Sequence, residues 1–350
     1  MSSMASSLLP NLQTLTVGLT SVLRSQVTVL DRQSNIFTST FPSEIVTCRV
    51  DEGSKLLLLC KYAAGGHREN VYGHRGGVAY EAAVYRHLLQ PSHASTPTFY
   101  GMYSDISTGD SWLVLEYLDN SLRLHLTSTK EVTGVPAPIG LAARWIGQFH
   151  HVSEERVSYA QRPFLIKYDA EYYLGWVRRT SLFAGHLHER FPWLRTLCER
   201  SEELITPLLT SPLTVIHGEY YSQNILFRGG TVYPVDWESA ALAAGEIDLA
   251  ALTANWGPEI GRQCELEYQR ARWPAGSPGD FERRLYAAQI YLCFRWLGDR
   301  PYWTSHPSYL HWFEQLRSAG ERLGLIGASS NEIPRPKANY DPARRHDSLR

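Results

Sequence analysis

The sequence predicts an α+β protein in two lobes, a small lobe built on an antiparallel sheet and a larger one that is mainly helical. Three observations carry this expectation. Strand-like runs crowd the first third of the chain, at residues 27–33, 44–50, 55–61, 97–103 and 112–117, whereas helical periodicity governs most of the chain after residue 138. The 350 residues, 43% of them hydrophobic, are enough for about two cores. One short polar turn interrupts the helical part, set between two apolar pairs and followed by a strand that ends on an acid.

Residues 1–24 are expected to form an N-terminal segment with a helix. Residues 1–7 are Ser-rich and should fray. Leu8, Leu12, Leu15, Leu19, Val22 and Leu23 then recur at helical spacing, with Pro10 tolerable in the first turn, and the helix should lie against the small lobe. In that lobe, residues 25–118, the second and third strands are joined by Asp51-Glu52-Gly53-Ser54, a good hairpin turn. The turn between the first two strands, residues 34–43, is rich in hydroxyls and reads equally as a plain polar loop or as a cover for phosphates. Residues 63–78 hold five glycines around Arg68 and Arg75 but lack the G-x-x-x-x-G-K-[ST] order of a P-loop, and read as a mobile linker. A helix over 79–90 comes next, with Glu81 early in it. The large lobe, residues 119–325, is poorly patterned up to Pro138. Helices are then expected where Leu141, Trp145, Ile146 and Phe149 recur, and over 169–180, 191–209, 247–256, 259–273, 281–297 and 309–323. Residues 326–350 turn to Ser, Pro, Arg and Asp and read as a disordered tail.

Composition excludes several functions. A formal net charge of −1, with acids and bases interspersed, argues against nucleic acid as a partner. Cys48, Cys60, Cys198, Cys264 and Cys293 are odd in number and contain no C-x-x-C pair, which fits neither a disulfide framework nor a zinc site and points to a reducing compartment. The longest aliphatic run is Leu56 to Leu59 and the N-terminus lacks a signal-peptide pattern, so no membrane partner and a cytoplasmic location are expected. His186-x-His188 has the brevity of a metal motif but no acidic or sulfur companions.

The chemistry is expected at Val215-Ile216-His217-Gly218-Glu219-Tyr220-Tyr221-Ser222-Gln223-Asn224-Ile225-Leu226, with Val235-Asp236-Trp237-Glu238 downstream. Phosphoryl transfer needs a carboxylate near the acceptor hydroxyl, an amide or carboxylate ligand for Mg²⁺ a few residues on, and a second carboxylate at the metals. Glu219, Asn224 and Asp236 fill these roles in order. Each motif alone has a bland explanation as a turn or a structural hairpin, and the ordered set carries the reading.

At these residues the chain resembles the aminoglycoside phosphotransferase and choline kinase superfamily, small-molecule kinases with a protein-kinase-like fold. The shared pattern is His-Gly-Asp, an Asn five residues after the Asp, a strand ending in Asp-Trp-Glu or similar, and an Asp-Leu-Ala helix start, here Asp248-Leu249-Ala250. The resemblance covers residues 25–325 in layout and 213–252 at motif strength. It implies ATP and Mg²⁺ as cofactors, with Asn224 and Asp236 as metal ligands. It also implies that Lys61 pairs the α- and β-phosphates, that Glu81 is its ion-pair partner, and that Glu116 and Leu118 belong to a hinge whose backbone meets the adenine edge. Glu219 would accept the acceptor's proton or orient its hydroxyl, His217 would brace the loop, and Asp248 would be a second brace. The clear departure is Glu219, where most members carry Asp. Its stem is one methylene longer, so the acceptor must sit farther off or the loop must be displaced.

The main expectation is therefore an ATP-dependent phosphotransferase acting on an alcohol group of a small molecule. The alternative is a catalytically weak or inactive nucleotide-binding protein that serves as a regulatory scaffold, and a third class would transfer another part of the nucleotide. Between residues 280 and 303 the only acids are Asp280, Glu282 and Asp299 among many rings and arginines. That favours a neutral or anionic hydroxylated acceptor over a polycationic aminoglycoside, although the rings read equally as helix-packing core. Glu246 comes ten positions after Asp236, which leaves no room for the activation segment of a protein kinase. No protein partner is indicated.

Overall fold

A computed structural model describes residues 9–37, 41–51, 53–64, 72–134, 136–156 and 163–327. Residues 1–7, 38–40 of the hydroxyl-rich turn, 65–71 of the glycine-rich linker and most of the expected tail lie outside them. The described residues form two compact units, one ending at Asn120 and one starting at Ser121.

The first unit is built on five antiparallel strands, β1 (Val27–Ser34), β2 (Ser43–Val50), β3 (Ser54–Ala63), β4 (Phe99–Ser104) and β5 (Ser111–Glu116), in the order β1-β2-β3-β5-β4. Helix α1 (Leu12–Leu23) covers one face. Leu15 and Leu19, one turn apart, are fully buried against Val46, Leu58, Tyr62 and Trp112, and each such leucine contributes about 1.5–3 kcal/mol. Gly18 sets the closeness of this packing, because a Cβ there would come 2.3 Å from a Trp112 ring carbon. Asn11 caps the helix, its side chain accepting the Thr14 N–H at 2.9 Å. Pro10 therefore precedes the cap and does not sit in the first turn. Helix α2 (Gly77–Val84) runs on through a π-helical turn, Tyr85–Leu89, and packs on the sheet, with Val78, Glu81, Ala82 and Val84 buried.

The second unit contains two small sheets. Strand β8 (Leu213–Ile216) pairs antiparallel with β11 (Ala241–Ala244), and β7 (Ile166–Lys167) lies parallel to β11. Strands β9 (Ile225–Arg228) and β10 (Thr231–Pro234) form a hairpin turned by Gly229 and Gly230, both at positive φ, with β6 (Leu122–Arg123) as the third strand. Residues 217–224 thus leave one sheet and enter the other. Strand β11 was not expected, since Ala-Leu-Ala-Ala has low strand propensity. Its ladder to β8 and its complete burial place it in the sheet.

The helices are α3 (Pro138–Arg156), α4 (Ala170–Phe183), α5 (Pro192–Glu199), α6 (Ser201–Leu209), α7 (Glu246–Thr253), α8 (Pro258–Arg272), α9 (Phe281–Leu297) and α10 (Leu310–Arg322). Helix α9 packs against α4, α6, α7 and α10, while α8 lies along α3. A Cβ on Gly147 of α3 would meet the Tyr268 carbonyl at 2.7 Å, so this pair also depends on a glycine. The single helix expected over 191–209 is two. Arg200 leaves helical geometry at φ −94° and ψ 21°, and its guanidinium takes Glu203 and the Leu325 carbonyl. Among the described residues no helix is long and apolar enough to cross a membrane.

Candidate active site

The turn after β8 is fixed by one carboxylate. Asp248, fully buried in the first turn of α7, accepts the backbone N–H of His217 at 2.6 Å and of Gly218 at 2.9 Å, and meets Nε2 of His150 at 3.1 Å. Gly218 holds φ 82°, and a Cβ there would lie 2.1 Å from the Ser239 carbonyl oxygen, so conformation and space both require glycine. The start of α7 is similarly tight. A Cβ on Gly245 would meet Nδ1 of His150 and Nη1 of Arg272 at 2.5 Å, and buried Arg272 is held by Glu154 at 3.0 Å and Glu246 at 3.4 Å.

His217 is a neutral brace. The Glu219 N–H donates to its Nδ1 at 3.3 Å, so Nε2 carries the proton and donates to the Val235 carbonyl at 3.0 Å. Burial pushes its pKa down, and the charge of Asp248 only partly opposes this. His150 is depressed in the same way, burial outweighing the hydrogen bond to Asp248.

Asn224 and Asp236 are brought together by the hairpin. Nδ2 of Asn224 donates to the Glu219 carbonyl at 3.0 Å, so Oδ1 is the atom it can offer a cation. The Val235 N–H donates to the Asn224 carbonyl at 2.9 Å, which ties the end of β10 to the loop. Asp236 adopts the left-handed region at φ 70°, uncommon outside glycine. One of its carboxylate oxygens lies within 4.8 Å of one from Glu238, a residue to which the sequence reading gave no role. Asn224, Asp236 and Glu238 offer only oxygen donors, the set suited to a hard divalent cation such as Mg²⁺.

Glu219 does not stand alone. Nη2 of Arg295, on α9, donates to its Oε1, and the side chains of this pair are 1% and 7% exposed respectively. The guanidinium lies over the Trp296 ring at 4.6 Å, and Nε1 of Trp296 donates to the Tyr221 hydroxyl at 2.7 Å. Burial opposes the charge on Arg295, but Glu219, Tyr221 and Asp299 outweigh it and raise its pKa. Arg295 falls in the stretch of rings and arginines between residues 280 and 303, and the sequence reading missed it as a partner. A signal existed, since Arg295 is the only charged residue from 287 to 297. A cation inside an apolar helical run has to be paired.

In the first unit, Lys61 at the end of β3 and Glu81 on α2 form a buried ion pair at 2.8 Å, with Nζ of Lys61 5.6 Å from the centre of the Phe41 ring. At the expected hinge, the Glu116 N–H donates to the Thr98 carbonyl at 2.8 Å and its carboxylate takes the Thr98 hydroxyl, also at 2.8 Å. Its amide is thus committed to the sheet, and Leu118 lies two residues on, buried.

The sequence matches the phosphotransferase enzyme family over residues 74–286. The chain belongs to this family. The fold of this phosphotransferase is similar to that of choline kinase LicA from Streptococcus pneumoniae, with a TM-score of 0.57 at 12% identity over 90% of this chain and 99% of that one. It is similar also to the AMP-bound complex of a spectinomycin phosphotransferase, at 0.56 and 13% over 91% and 99%. A choline kinase from Cryptosporidium parvum gives 0.54 and 13% over 86% and 91%. No curated protein matches the sequence. Family and fold bear out the expected superfamily and the kinase-like combination of an antiparallel-sheet lobe with a mainly helical one.

Proposed function

We propose that this phosphotransferase moves the γ-phosphoryl group of ATP to a hydroxyl of a small neutral or anionic molecule in the cytoplasm. The observation that carries the proposal is the loop after β8, where Asp248 clamps two successive amides and so fixes the backbone from which Glu219 and Asn224 project. A carboxylate facing an acceptor and a row of oxygen ligands are what the reaction requires, because its rate comes from positioning and charge stabilisation. The free state of all five cysteines fits a reducing compartment.

Each residue then has a definite task. Lys61, steadied by Glu81, takes the α- and β-phosphates, and backbone groups at Glu116 and Leu118 receive the adenine edge. Asp236 and Asn224, with Glu238 beside them, would hold Mg²⁺, which when bound supplies positive charge at the transferring phosphoryl group. Arg295 holds and aims the Glu219 carboxylate, so Glu219 accepts a hydrogen bond from the acceptor hydroxyl and orients its oxygen for attack. His217, neutral and with its proton directed at Val235, steadies the loop and takes no part in the proton transfer.

The test has two parts. Mg·ATP should raise the melting temperature, and Asp236→Asn should remove most of that shift; a shift independent of magnesium would count against Asp236 as a ligand. A compound panel screened by mass spectrometry should then reveal a small molecule that gains one phosphoryl unit. The Glu219–Arg295 pair also favours a second reading, in which a guanidinium-bound carboxylate leaves a weak enzyme that works as a nucleotide-dependent scaffold. Binding of Mg·ATP without transfer to any acceptor would select it.

A further inference from the structure

Arg295 and Asp299 both carry polar atoms that the protein leaves unmatched. Nε and Nη1 of Arg295, and Oδ1 of Asp299, are buried and have no hydrogen-bond partner among the described residues. The two residues are 1% and 8% exposed. They lie four positions apart at the end of α9, where Gly298 keeps helical geometry at φ −88° and ψ −3°, so they share one side of the helix. Asp299 is among the charges that act on the Arg295 guanidinium. Its place is held by Arg179, whose guanidinium takes the carbonyls of Gly298 and Asp299 at 2.8 and 3.1 Å. Its other oxygen is 4.0 Å from Nε of Arg300. Nη2 of Arg295 meanwhile holds Glu219, the member of the pair with the more exposed side chain.

Two spare donors on Arg295 and a spare acceptor on Asp299, four residues on, define the chemistry of what completes them. A carboxylate or phosphate accepts only, and an ammonium donates only, so either would leave one side unmatched. A hydroxyl does both. We propose that Arg295 and Asp299 are specificity-determining residues that receive a second, non-reacting hydroxyl of the acceptor, accepting from Arg295 and donating to Asp299, while the reacting hydroxyl meets Glu219. The acceptor class is then a polyol with neighbouring hydroxyls, such as a sugar, a cyclitol or a ribonucleoside. This inference rests on the proposed phosphotransfer and narrows its acceptor.

The test uses the full-length protein and matched pairs of compounds. Pentoses, hexoses, cyclitols and ribonucleosides are compared with counterparts lacking one hydroxyl, D-ribose with 2-deoxy-D-ribose for example, together with choline as an ammonium alcohol and glycolate as a carboxylate alcohol. Transfer from Mg·ATP is measured, and binding is followed by ligand-observed NMR in the presence of a non-hydrolysable Mg·ATP analogue. At least one polyol should be taken, and loss of the hydroxyl next to the phosphorylated one should lower kcat/KM by about 10²-fold or more. In Asp299→Ala that ratio should collapse through a raised KM for the polyol, with Asp299→Asn, which keeps one oxygen, in between. Arg295→Lys, which retains a donor, should preserve more of the ratio than Arg295→Met. Asp299-dependent polyol binding without transfer would sustain the inference and sink the phosphotransfer reading. Equal use of the deoxy compounds, preference for choline or glycolate, no polyol bound at millimolar concentration, or a crystal structure with only an ordered water between Arg295 and Asp299 would each overturn the inference. None of these four touches the phosphotransfer reading.

Discussion

Two buried ion pairs, one in each unit, look alike by burial and differ in what surrounds them. Lys61 and Glu81 meet at 2.8 Å on neighbouring elements twenty residues apart, a strand end and the helix that packs on it. Glu219 and Arg295 meet across 76 residues, between the turn after β8 and the last turn of α9. In the first pair a glutamate restrains a lysine. In the second a cation restrains an acid, and it is the cation that keeps unmatched donors. Burial alone therefore does not characterise such a pair, and hydrogen-bond accounting is what sets the second apart.

The comparison breaks most visibly in turnover. Glu219→Gln should leave the Mg·ATP melting shift nearly unchanged while transfer to the true acceptor falls by about 10²- to 10⁴-fold. Glu219→Asp, whose shorter stem cannot hold both Arg295 and the acceptor, should fall between wild type and Gln. Wild-type turnover in the Gln protein would remove Glu219 from the mechanism.

Stability gives the next largest effect. Removing one member of either pair strands a buried charge, so Arg295→Met and Lys61→Met should each cost about 3–5 kcal/mol in urea unfolding. The sharpening lies in their ligands. Lys61→Met should also lose the Mg·ATP shift, and Arg295→Met should keep it. A double variant, Arg295→Met with Glu219→Gln, should recover part of the stability, and strictly additive losses would show that the two side chains are not coupled.

The smallest effect concerns a third buried contact, His150 with Asp248, in which burial holds the imidazole neutral. Its pKa is lower in the folded state than in the unfolded chain, where it is about 6.5. Below that value the unfolded state binds a proton that the folded state refuses. Stability is therefore fully present above about pH 6.5 and declines as the pH falls, at up to about 1.4 kcal/mol per pH unit for this group. His217 adds a decline of the same sign. Urea midpoints at pH 7.5 and 5.5 should show it, and His150→Gln should reduce the slope; an unchanged slope would mean that His150 is protonated in the fold.

Legibility in the sequence divides along the same line, local against distant. The five strands of the first unit, α2 with Glu81, and the β9–β10 hairpin carrying Asp236 are written in short apolar runs and turn residues, and each appears close to its expected place. Strand β11 was invisible because four small residues carry no strand signature and only pairing with β8 defines it. Arg295 was visible as a residue but not as a partner, since nothing near it in sequence names Glu219. The spare atoms of Asp299 are further from view, being a property of the packed helix end.

The clamp of Asp248 on the turn after β8 has a consequence for motion. Loops that carry chemistry commonly open by local fluctuation, and their amides exchange with solvent long before the core does. Here the amide protons of His217 and Gly218 end on a carboxylate with no solvent exposure, itself anchored in a helix whose start is sealed by Gly245 and Arg272. These two amides should consequently exchange only through global unfolding, as slowly as those of β8, so that the backbone of this turn behaves as part of the core and mobility here is left to side chains.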